Sequence, residues 1–148
     1  MKARFTFSFI LALLTSFHLI GQDHVERTLV KSFNLSGYNN AFIDVAPGSE
    51  IIVNEWNQEQ MRVVMTVSVG NGSGQMLKSL VKVGRYNLDA SDEDSTLRIF
   101  LPGLQREVKL RSGNKLVENI NFEIFAPTNF LVKTRPNDVI AEKSDSSF

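Results

Sequence analysis

From residue 61 the chain alternates: Met61, Val63, Met65, Val67 and Val69 are apolar, while Arg62, Thr66, Ser68 and Gly70 fall between them, with Val64 the exception. A period of two sustained over this length predicts a β-strand with one buried face. Shorter runs of the same kind are Ala41-Ile43-Val45, Ile51-Val53, Tyr86-Leu88-Ala90, Leu97-Ile99-Leu101, Val108-Leu110, Ile120-Phe122-Ile124 and Phe130-Val132. Turn-forming stretches separate them, among them Pro47-Gly48-Ser49, Gly70-Asn71-Gly72-Ser73-Gly74, Asp92-Glu93-Asp94, Pro102-Gly103, Ser112-Gly113-Asn114 and Pro136-Asn137-Asp138. Many short strands so punctuated predict an all-β domain. One segment keeps a different period: Met76, Leu77, Leu80 and Val81 share a helical face, Ser73 is placed to cap the N-terminus and Gly84 to end the element. It predicts one short helix covering a sheet or an open edge.

The N-terminus follows neither pattern. Lys2 and Arg4 precede an apolar run from Phe5 to Ile20, followed by Gly21-Gln22-Asp23. A charged start, a short apolar stretch and a small residue before polar sequence predict a secretory signal peptide over 1–21, cleaved after Gly21. The run carries hydroxyl side chains and is short for a membrane span of about 20 apolar residues, so no stable span is expected after cleavage. Residues 22–148 then form a single β-domain with a polar C-terminal tail. An exported location follows, in the periplasm, on the outer-membrane surface or outside the cell.

Composition then narrows the chemistry. The chain has 148 residues, 16 basic and 16 acidic groups and no cysteine. Disulfide scaffolds, thiol catalysis and cysteine-ligated metals are excluded. Balanced charge gives no long-range attraction for nucleic acid, and the bases between Arg106 and Lys115 read as the wet face of an amphipathic strand. Cleavage of the leader removes Lys2, Arg4 and His18, leaving the mature chain two charges acidic with His24 as its only histidine. One histidine beside a chain terminus makes neither a serine-histidine-aspartate triad nor a zinc site. The glycine-rich loop at 70–74 lacks the third glycine of a dinucleotide fingerprint and the lysine of a P-loop, which leaves it a flexible connector. The acidic run 92–94 lacks the spacing of a calcium loop and reads as a solvated turn. No catalytic, cofactor or metal residue is therefore assigned. Trp56 alone stands out, either as a contact for a partner or sugar or as a plug closing the end of a core.

Four phrases carry a resemblance: AFIDVAPGSEIIVNEWNQEQMRVVMTVSV, GQMLKSLVKV, STLRIFLPG and INFEIFAPTNFLVKTRPNDVIAE. Over about residues 33 to 142 they resemble the auto-transporter adhesin head (GIN) domains and related adhesin-like domains of Gram-negative bacteria. Gly48-Ser49-Glu50-Ile51 stands at the family's strand turn, Trp56 at its aromatic position, and Ala126-Pro127 through Val139 at the first later rung. The resemblance implies a short β-solenoid or stacked-sheet domain; an antiparallel β-sandwich is the alternative. Parallel stacking agrees with the adhesin-like fold and a Greek-key order would oppose it. The expected role is adhesion or interaction through strand faces and edges, without enzymatic activity or cofactors. Protein or surface glycan would be the partner, and an uncovered edge would favour homo-oligomers by edge pairing. Three alternatives stay open: a carbohydrate-binding module using Trp56, a small hydrolase using Asp and Glu alone, which needs two carboxyls facing across a cleft, and a carrier of small hydrophobes.

Overall fold

The computed structural model describes residues 25–45, 47–134 and 140–141. The leader, His24, the turn at 136–138 and the tail beyond residue 141 lie outside the described residues. Among the described residues nine strands form two mixed sheets, accompanied by one α-helix and one 3₁₀ turn, Pro102–Gln105. They are β1 Glu26–Asn34, β2 Asn40–Asp44, β3 Glu50–Trp56, β4 Gln60–Val69, β5 Asp89–Glu93, β6 Thr96–Phe100, β7 Glu118–Pro127, β8 Leu131–Thr134 and β9 Ile140–Ala141. Helix α1 spans Gly74–Lys82. The first sheet runs β1-β4-β7-β3-β9 and the second β5-β6-β2-β8.

The order of strands has a simple origin. Three times the chain passes from the second sheet to the first, as β2 to β3, β6 to β7 and β8 to β9, and each passage lies parallel to its neighbours. The result is three stacked rungs with β2–β3 in the middle. Like residues meet along the stack: Ala41 opposes Leu97 and Val132, Ile43 opposes Ile99, and Ile51 opposes Phe122. Antiparallel strands flank the stack, with β4 and then β1 beside β7 and with β5 beside β6. The sheets are thus mixed and do not close into a barrel. Inward residues of both sheets form one core, in which Ile43, Ile51, Met61, Met65, Val67, Ile99 and Ile124 are all but fully covered. Burial of each such side chain contributes about 1.5–3 kcal/mol.

Helix α1 follows its sequence pattern. Ser73 Oγ accepts from the Met76 amide at 3.2 Å, and Gly84 ends the element in the left-handed region at φ +80°. Leu77 enters the core with Met76, Leu80 and Val81 around it. The glycine-rich loop before the helix is pinned rather than loose: the Asn71 side chain donates to the Lys115 carbonyl at 2.8 Å and accepts from the Val117 amide at 2.7 Å.

Three segments differ from the sequence pattern. Residues 86–88 alternate but form no strand; Tyr86 and Leu88 are core residues on an irregular segment that follows α1. The Val108–Leu110 run is an excursion between β6 and β7, held by one bridge between Lys109 and Lys115, and not an amphipathic strand. The acidic run is half strand and half turn: β5 ends at Glu93, and Asp94 and Ser95, both with positive φ, make the two-residue hairpin to β6.

Candidate functional site

Trp56 ends β3 in register with Pro127 of β7, while Val53 and Ile124, three residues earlier, pair in the core. The alternation puts Trp56 on the outer face of the first sheet, so it does not plug the core. In that sheet β7 lies between β3 and β4, and the link 57–59 must pass over the end of β7. The indole closes this link, its Nε1 donating to the Gln60 carbonyl at 2.8 Å. From the next row of the face, Phe125 packs at 5.7 Å between ring centroids and the Arg62 guanidinium sits 4.9 Å from the indole centroid. A hydrogen bond, a tilted ring and a cation together fix the indole's orientation.

Trp56 also lines an open groove of about 800 Å³. It crosses the end of the first sheet from β1 to β3, with Pro127 as further carbon surface and Ser32 and Asn34 at the far end. Its walls are rich in amides, from Asn57 and Gln58 on the link, Gln60 at the start of β4 and Asn129 on the turn after β7. Among the described residues Glu59 is the single charged side chain lining it. Neither Arg62 nor Phe125 lines the groove, so neither contact stands between it and the indole. Of this constellation the sequence marked only Trp56. The amide-rich Asn57-Gln58-Glu59-Gln60 was visible, but nothing in the sequence joins it to Thr128-Asn129 or to the end of β1.

The most heavily buried charges lie elsewhere. Arg85 donates through Nε and Nη2 to both oxygens of Glu118, at 2.7 and 2.6 Å, and through Nη1 to the carbonyls of Gly103 and Arg106 at 2.9 and 2.8 Å. The Tyr86 hydroxyl donates to Glu118 Oε1 at 2.5 Å. Desolvation pushes the Glu118 carboxyl up, but hydrogen bonds from Arg85 and Tyr86 outweigh it and hold the group below its ordinary range. Desolvation, and then the bond to Glu118, pushes the Tyr86 hydroxyl well above the usual phenol range. A carboxyl kept ionised in this way cannot serve as a general acid, whose work requires a raised pKa. The cluster instead ties the 3₁₀ turn to β7. Gly103 permits this closeness, since a Cβ there would lie 2.2 Å from the Arg85 carbonyl oxygen.

A smaller depression of about 400 Å³ lies against the outer face of the second sheet, lined by Asp44, Arg98, Phe100 and Leu104 among others. Its charges are paired, Arg98 with Asp44 and with Glu93, the latter at 2.7 Å. Other carboxylates are also engaged, Glu107 with Lys115 and Glu123 with the Asn54 amide at 3.0 Å. Among the described residues no group of three or more histidine, aspartate or glutamate side chains could hold a metal ion. No helix among them is long and apolar enough to cross a membrane.

Solved structures align with part of this chain. A candidate cell adhesion protein from Clostridium sporogenes ATCC 15579 aligns over 74% of this chain and 46% of its own, at 14% identity and a TM-score of 0.39. A candidate lipid binding protein from Parabacteroides distasonis ATCC 8503 aligns over 72% of this chain and 37% of its own, at 14% identity and a TM-score of 0.29. The chain therefore spans less than half the length of either. Scores at this level carry no functional weight. No family model matches the chain, and neither does any curated protein.

Proposed function

We propose that this chain is an exported, adhesin-like protein of the cell envelope that works by binding, through its strand faces and edges, and not by catalysis. The observation that carries the reading is the strand order. Three parallel rungs shared between two sheets are the arrangement implied by the sequence resemblance, and among the described residues they leave strand edges at both ends of the stack, β1 and β5 at one and β8 and β9 at the other. Edge strands offer rows of backbone donors and acceptors to a partner. On β1, eight of the nine residues are exposed or half-buried, and Val30 is 61% exposed.

The test begins with export. Expressed with its leader in a Gram-negative host, the product recovered from the envelope starts at Gln22. Beads coated with it then bind cells or matrix several-fold above beads carrying an unrelated β-protein. A product retained in the cytosol with its N-terminus intact overturns the export. Beads that bind no surface overturn the adhesive role.

A further inference from the structure

We infer that the groove at Trp56 binds a neutral saccharide; the inference rests on the binding role proposed above and names its ligand. The argument comes from what the groove offers and to whom. Asn57, Gln58, Gln60 and Asn129 each bring an amide, and among the described residues none of these side chains makes a hydrogen bond within the protein. An amide both donates and accepts. Sugar hydroxyls do the same, so a polyhydroxylated ligand can pair with every wall group at once. Phosphate or sulfate would accept only and would require cations, yet among the described residues the single charge lining the groove is the Glu59 carboxylate. An apolar ligand would strip water from four amides with nothing in return.

Trp56 supplies the complementary surface. Its N–H is already spent on Gln60, so the indole offers carbon rather than a donor. The hydrogen bond and the Arg62 and Phe125 contacts hold it still before any ligand arrives, which lowers the entropy cost of binding. A fixed aromatic plane beside convergent amides suits the apolar face of a pyranose ring with its rim of hydroxyls. The groove crosses four strands, a width of about 14 Å at the ordinary strand spacing, enough for a short oligosaccharide rather than one ring.

Trp56 is the only tryptophan in the chain, so its fluorescence reports directly on this groove. The mature protein is screened on a glycan array and titrated with maltotriose, cellotriose and triacetylchitotriose, beside a heparin oligosaccharide and a library of extended peptides. At least one neutral glycan gives a saturable change in fluorescence that persists in 0.5 M salt. Asn57→Ala and Gln58→Ala each weaken it about tenfold, equivalent to ~1.4 kcal/mol, with circular dichroism unchanged. Trp56→Ala abolishes binding by calorimetry, and Val83→Ala, on the exposed end of α1, leaves it intact. No response to any neutral glycan, a response to heparin or peptide alone, or binding that survives Trp56→Ala overturns the inference. If neutral glycans fail while the coated beads still adhere, the binding role stands and the saccharide falls. If the unaltered protein adheres to nothing, the binding role falls with it.

Discussion

Arg85 and Glu118 stand 33 residues apart in the chain, and their pairing could not be read from it. A bidentate ion pair this buried is stable only with both members present, because either one alone is an uncompensated charge. Glu118→Gln is therefore expected to destabilise the protein by about 3 kcal/mol in urea unfolding. The pH dependence has two limits. Glu118 is held below its unfolded value of 4.5, so its contribution is complete above that pH and is lost as pH falls through the lower, folded value. Tyr86 is held above its unfolded value of 10.0, so its contribution is complete below that pH and is lost as pH rises. Urea midpoints measured against pH should fall at both limits in the native chain and lose most of the acid limb in Glu118→Gln. A mutant with an unchanged acid limb would show that Glu118 is not the group responsible.

At the scale of elements, α1 is the piece most completely specified by its own residues. Its cap is worth about 1 kcal/mol, so Ser73→Ala should lower stability by that amount. Gly84→Ala should cost at least as much, since it forces a side chain into the left-handed region and brings a Cβ within 2.8 Å of the Asn87 amide nitrogen. Thermal unfolding of the two variants, with Lys78→Ala on the same helix as an exposed control, checks both. Legibility elsewhere followed burial. β4 shows its alternation because its inward residues are covered by the core and its outward ones are mostly polar. β1 was not legible, since on this edge strand only Leu29 and Phe33 pack toward the core and the rest is exposed, too little burial to impose an alternation. Tyr86 and Leu88 imitated a strand because an irregular segment can also direct every second side chain inward. The groove was illegible beyond Trp56 because three separate segments supply it, the end of β1, the link after β3 and the turn after β7, and only the strand order brings them to one end of the sheet.

The whole molecule is a stack whose middle rung, β2–β3, comes first in the sequence, and whose outer rungs are added from both sides by residues far downstream. Removing residues 128–148 would take away β8 and β9 and bare one edge of both β2 and β3. The shortened protein is expected to aggregate or self-associate at micromolar concentration, measured by light scattering against the full chain. A soluble monomer with unchanged thermal stability would show that the third rung is dispensable. The same order governs how the protein is born. At ribosomal rates of about 5 to 20 residues per second, the central strands emerge on the order of ten seconds before their last partners exist. Until β6 and β7 emerge both edges of each are bare, and after that one edge of each still waits for β8 and β9. Completion of the stack must therefore wait for β8 and β9, and a helper that shields nascent strands is expected to raise yield.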